Sequence, residues 1–105
     1  MKRTLPLDIR DDEQQVVRSI LERHIPDIEV RAFGSRVKGS ARQYSDLDLA
    51  LMTQSPLPLS QLAELREAFS ESDLPWKVDL VDWASTSEEF HTIIQGDSVV
   101  IQRKS

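Results

Sequence analysis

The chain has 105 residues and a mass of 12.0 kDa, enough for one domain with one core and not for two. Hydrophobic residues make up 39%, and 13 Lys and Arg against 18 Asp and Glu leave a net charge of −5. That is the wrong sign for bulk attraction to nucleic acid. There is no cysteine, which excludes disulfide scaffolds, thiolate metal sites and thiol nucleophiles.

Met1-Lys2-Arg3-Thr4-Leu5-Pro6 lacks the apolar core of a signal peptide, and no apolar run reaches membrane-spanning length. A cytoplasmic protein without a membrane partner is expected. Asp11-Asp12-Glu13 open a helical pattern over 11–24, with Val17, Ile20, Leu21, His24 and Ile25 on one face and Pro26 as its stop. The five prolines, Pro6 among them, fall at element boundaries.

Residues 28–33 alternate and read as a strand. Gly34-Ser35 then turns the chain into a short helical piece reaching Arg42. Residues 45–52 form a second strand, with Leu47, Leu49 and Leu51 on one face. A helix over 60–70 carries Leu62, Leu65, Ala68 and Phe69 inward, with Ser60 as its N-cap. Residues 76–83 give a third strand. Ser87 caps a last helix with Phe90, Ile93 and Ile94, which ends at Gly96. Residues 98–102 fit either an edge strand or a final helical turn. The order predicts a single α/β domain over 1–105, with helices packed on a small sheet.

The chemistry concentrates between Phe33 and Leu49. In a strand, residues two apart project from one face with Cα atoms roughly 6.5–7 Å apart, so Asp46 and Asp48 lie side by side. Two carboxylates so held repel unless a cation lies between them, and the buried leucines stop the strand from turning them away. All-oxygen ligation suits Mg²⁺ or Mn²⁺. An Asp-x-Asp taken alone also describes a solvated strand face. Alternation puts Asp79 and Asp82 on opposite faces of the third strand, so only one of them joins the pair. Asp79 is chosen, because a carboxylate in mid-strand needs a partner whereas Asp82 near the strand end can reach water.

Gly34 allows close backbone approach, and the Ser35 hydroxyl with the following N–H groups suits phosphate oxygens. An ordinary N-cap serine after a turn glycine fits as well. Arg36, Lys38 and Arg42 form a local basic cluster that steers a triphosphate or meets an anionic partner, or else lies solvated on a helix. Lys77 flanks Asp79. Tyr44, His24, His91, Trp76 and Trp83 read as structural or surface residues. A P-loop is excluded because Ser40-Ala41 replaces the Lys and Ser/Thr after Gly39. A calcium loop fails at Ala50, Leu51 and Leu57, and Ser35 lacks the Gly-x-Ser-x-Gly setting of a hydrolase.

Gly34-Ser35, then ten residues, then Asp46-Leu47-Asp48-Leu49, with Asp79 on a later strand, resembles the signature of the DNA polymerase β-like nucleotidyltransferases. The longer string Phe-Gly-Ser-Arg-x-x-Gly-x-Ala-Arg-x-x-Ser-Asp-x-Asp-Leu is similar to the minimal nucleotidyltransferases, the antitoxins of HEPN toxin–antitoxin pairs. The resemblance implies a small mixed sheet and transfer of AMP from ATP to a tyrosine of a HEPN ribonuclease toxin, with which the chain forms a hetero-oligomer. It implies that Asp46, Asp48 and Asp79 are catalytic and ligate two Mg²⁺ ions about 3.5–4 Å apart, and that Gly34, Ser35, Arg36 and Lys38 hold the triphosphate. Larger members of the superfamily add a domain that holds base and acceptor, so a partner surface is expected to complete the cleft here. The competing readings are an antitoxin that neutralises by binding alone, and transfer to a small molecule or RNA.

Overall fold

The structure is a computed structural model that describes residues 7–104; the segment Met1–Pro6, read above as lacking a signal peptide, lies outside the described residues. Helix α1 (Asp11–His24) begins where the Glu13 carboxylate accepts the Arg10 backbone N–H at 2.8 Å, with three acidic residues in its first turn facing the positive end of the dipole. It stops at Ile25, whose N–H closes on the Leu21 carbonyl at 2.8 Å, just before Pro26. Strand β1 (Val30–Phe33) starts two residues later than the alternation suggests. Ile28 is occupied in the turn, its N–H on the Ile25 carbonyl.

Helix α2 (Ser35–Lys38) is a single turn and ends well before Arg42. Gly39 adopts φ +82° and returns its N–H to the Ser35 carbonyl, a left-handed C-cap that terminates the turn. Strand β2 (Leu47–Leu51) is likewise shorter than the leucine pattern implies. Ser45 closes a turn on Arg42: its N–H reaches the Arg42 carbonyl at 3.1 Å, and its hydroxyl accepts the Arg42 N–H at 2.8 Å. Asp46 therefore stands at the mouth of the strand.

Helix α3 (Leu59–Ser70) is entered from Pro58, whose carbonyl receives the Leu62 N–H. Ser60 lies inside the first turn and is not the N-cap. Strand β3 (Val78–Asp82) leads into a 3₁₀ turn (Trp83–Ser85) and helix α4 (Glu88–Gly96). Ser87 does cap that helix, accepting the Phe90 N–H at 3.3 Å. The final segment is strand β4 (Ser98–Gln102).

The four strands form one mixed sheet in the order β3-β2-β1-β4, with β2 and β3 parallel and the other pairs antiparallel. Helix α3 makes the β2–β3 crossover, as a parallel pair requires. The β1–β4 register shifts near Val30. There the Gln102 side-chain amide donates to the carbonyls of Ile25 and Ile28, both at 2.8 Å.

Period-two alternation sorts the side chains. Val30, Ala32, Leu47, Leu49, Leu51 and Leu80 join Val17 and Leu21 of α1 and Leu62, Leu65 and Phe69 of α3 in the main core. Among the described residues the opposite face holds a smaller buried cluster, Phe33, Ala50 and Ile94, where α4 docks. The second face is thus covered at one end and bears carboxylates at the other. Among the described residues no helix is long and apolar enough to cross a membrane.

Candidate active site

Asp48 and Asp79 are direct register partners across the parallel β2–β3 pair, so they share a face as cross-strand neighbours. Burying Leu47, Leu49 and Leu51 against α1 and α3 leaves Asp48 no alternative face. Asp79 is exposed and Asp48 half-buried, while Asp46 is exposed one residue before the strand. Phe33 pairs with Asp48 from the other side, which brings the turn after β1 against the same carboxylate. Gly34 sits there with φ +84° and ψ −155°, a region essentially reserved for glycine. A Cβ at Gly34 would overlap Asp48 Oδ2 and lie 3.2 Å from its Cγ. Any side chain at Gly34 would force that carboxylate to shift.

The electrostatics are unbalanced. Burial, then the charge of Asp79, then that of Asp46 push the Asp48 carboxyl up from 3.8 to about 6. Neither an ion pair nor a side-chain hydrogen bond engages these three aspartates among the described residues. Nor do three Asp, Glu, His or Cys side chains converge into a ready-made ion cage among them. Like charges have no reason to converge without a cation between them. The donor set is all oxygen and a divalent ion would relieve the repulsion, so these residues fit a hard cation such as Mg²⁺.

Asp82 is the counterpart that alternation sends to the other side. It accepts the Thr53 hydroxyl and, at 2.9 Å, the Leu57 N–H, so it anchors the segment leading to α3. The two aspartates therefore reverse their expected surroundings: Asp82 is the half-buried, hydrogen-bonded one and Asp79 the accessible one.

Ser35 is half-buried at the first position of α2, beside Gly34, and Lys38 is exposed at its end. Because α2 is one turn long, its dipole adds little; the Ser35 N–H and hydroxyl are the local donors. Arg36 corrects the sequence reading. It is 5% exposed, neither solvated nor free to hold a triphosphate. Its Nε donates to the Ser45 carbonyl at 3.0 Å and its Nη1 to the Asp8 carbonyl at 2.8 Å. Its Nη2 reaches the carbonyls of Ser45, Gln43 and Arg42 at 2.9, 3.1 and 3.3 Å. Its guanidinium carbon stands 4.7 Å from the Trp76 ring centre.

The sequence model of the family described as "Polymerase beta, Nucleotidyltransferase" matches residues 15–105. The chain belongs to the polymerase β-like nucleotidyltransferases.

A relative from Haemophilus influenzae, a probable protein adenylyltransferase MntA, is 57% identical over 98 residues, covering 93% of this chain and 86% of its own. A crystal structure of a toxin–antitoxin with AMP-PNP matches with a TM-score of 0.72 at 26% identity, over 84% of this chain and 71% of that one. A tri-AMPylated Shewanella oneidensis HEPN toxin in complex with MNT antitoxin shares the fold alone, with a TM-score of 0.66 at 23% identity over 89% and 71%. The mixed sheet with its helices is the nucleotidyltransferase fold, and the chain is an enzyme of that class.

Within this nucleotidyltransferase, His91 and Tyr44 depart from the sequence reading, whereas Trp76 keeps to it. His91 is not plain surface: its ring stacks on Trp83 at 3.6 Å, with Nε2 2.9 Å from the Trp83 carbonyl. Trp76, read as packing, is buried beneath Arg36. Tyr44 is 68% exposed, its hydroxyl accepting the Gln43 side-chain amide at 3.3 Å.

Two outcomes follow from the geometry around Asp48. The folded chain holds the Asp48 proton more tightly than the unfolded chain, so stability from the protonated form is full below about 3.8 and lost as pH rises through about 6. Asp48→Asn should therefore stabilise the protein at pH 8 by on the order of 1 kcal/mol, discounted for solvent screening of a half-exposed group. At pH 4 the difference should vanish; urea unfolding at the two pH values checks this. Gly34→Ala should cost about 1–3 kcal/mol, more than Gly39→Ala, which meets open space. Equal losses at the two glycines would mean that Asp48 does not press on Gly34.

Proposed function

We propose that this chain, as one minimal domain, transfers AMP from ATP to a tyrosine hydroxyl of a HEPN-type ribonuclease toxin and thereby acts as its antitoxin in the cytoplasm. The observation that carries the reading is the placement of Asp48 beside Asp79 in register, with Gly34 pressed on the Asp48 carboxylate. The 57% identical relative named as a protein adenylyltransferase supports AMP as the transferred group and a protein as the acceptor. The structural relative with AMP-PNP supports ATP as donor and a toxin as partner.

Asp46, Asp48 and Asp79 would hold two Mg²⁺ ions, which when bound supply Lewis acidity and offset the charge of the triphosphate. Gly34 presents bare backbone to the β- and γ-phosphates, and Ser35 donates to them from its N–H and hydroxyl. Lys38, exposed and without a partner among the described residues, offers a positive charge to the same oxygens. The acceptor hydroxyl oxygen attacks the α-phosphorus, the bond to pyrophosphate breaks, and the hydroxyl proton passes to the accessible Asp79 carboxylate. No covalent intermediate with the protein is needed. The work of the chain is positioning and electrostatics.

Asp48→Asn and Asp79→Asn should each lower transfer of labelled AMP from ATP to the co-purified toxin by about 100-fold or more, with the fold retained. Mass spectrometry of the toxin locates the AMP. Toxin neutralised without any AMP would replace this reading with inhibition by binding alone.

A further inference from the structure

The side chain next to the Gly34-Ser35 turn is a buried cation with no carboxylate partner among the described residues. Its charge is solvated by main-chain dipoles instead, the carbonyls of Asp8, Arg42, Gln43 and Ser45. Removing those bonds would leave a guanidinium buried and unsolvated, so they are not exchangeable for a ligand. The Asp8 link is reciprocal, since the Asp8 N–H donates to the Arg36 carbonyl at 2.7 Å.

Three segments that lead into the site converge on this group. The turn after β1 is joined to it covalently, because Arg36 follows Ser35. The loop entering β2 is gripped at Arg42, Gln43 and Ser45, the last immediately before Asp46. The segment entering β3 supplies Trp76, whose ring lies against the guanidinium two residues before that strand begins. A polar loop of this length would otherwise sample many conformations. The planar fork closes it by bonding in several directions at once, which a lysine ammonium on the same stem cannot reproduce.

We infer that Arg36 is a positioning residue: its guanidinium, stacked on Trp76, sets Asp46 and the strand of Asp79 in place relative to the Gly34-Ser35 turn. The inference rests on the nucleotidyl-transfer reading for its effect on rate, and on geometry alone for its effect on the loop.

Arg36→Lys in the full chain, assayed with ATP, Mg²⁺ and the toxin, tests it. The expected result is a fall in kcat of about 100-fold with the KM for ATP changed by less than about threefold, as for a small misplacement of catalytic groups. Amide hydrogen exchange without nucleotide should accelerate over 42–47 and at the entry to β3, over 76–79, and stay unchanged in β1. Should Arg36→Lys fail to fold, Trp76→Phe, which keeps an aromatic ring in the core, should give the same local acceleration in milder form. Exchange that accelerates uniformly over the sheet, an unchanged kcat, or a loss confined to KM would each overturn the proposal. A wild-type chain that transfers no AMP would sink the reaction assigned above, and the exchange pattern alone would then decide on the clamp.

Discussion

Burial of Leu47, Leu49 and Leu51 against α1 and α3 is the constraint on which the site depends. A strand that commits alternate residues to the core commits the remainder to the other face, and a slip of one residue would exchange the two sets. Asp48 is thereby forced out of the core. The parallel pairing of β2 with β3, bridged by α3, then sets Asp79 directly opposite. Hydrophobic burial, which has no chemical role in nucleotidyl transfer, does the aiming.

The fold also tolerates a local cost. Asp48 is half-buried beside two like charges, with no ion pair among the described residues to balance them. Gly34 occupies a backbone region open only to glycine, with its missing side chain leaving the space that the Asp48 carboxylate fills. Strain of this kind persists only where the surrounding structure holds it, and it clusters at functional sites. Here the surrounding structure is a leucine-rich core on one face and a buried arginine at the end of the sheet. A divalent cation would turn the repulsion into ligation, which gives the apparent defect a purpose.

Much of this was legible from residue order. The helix at 11–24 announced both its ends, through acidic residues in the first turn and Pro26 after the last. The leucine alternation disclosed which face of β2 is buried, and parity in β3 separated Asp79 from Asp82. The lengths of α2 and β2 were overestimated because tertiary bonds decide them: Gly39 closes α2, and Ser45 is drawn into a turn rather than the ladder. Arg36 was misread for a related reason. A basic residue among Lys38 and Arg42 reads as solvated, and its burial depends on Trp76 and Asp8, which are remote in the chain. No local pattern signals a contact of that range. The sequence leaves residues 98–102 open between an edge strand and a helical turn, since a short apolar run fits both, and β4 takes the edge.

The central claim is that Asp46, Asp48 and Asp79 surround hard cations facing the Gly34-Ser35 turn. A crystal structure of the chain with its toxin, Mn²⁺ and a non-hydrolysable ATP analogue tests it most directly, through the anomalous signal of the metal. The account predicts manganese within about 2.0–2.3 Å of carboxylate oxygens from all three aspartates, with the triphosphate on the Gly34-Ser35 side. Metal bound elsewhere, or nucleotide seated without contact to these carboxylates, would contradict it.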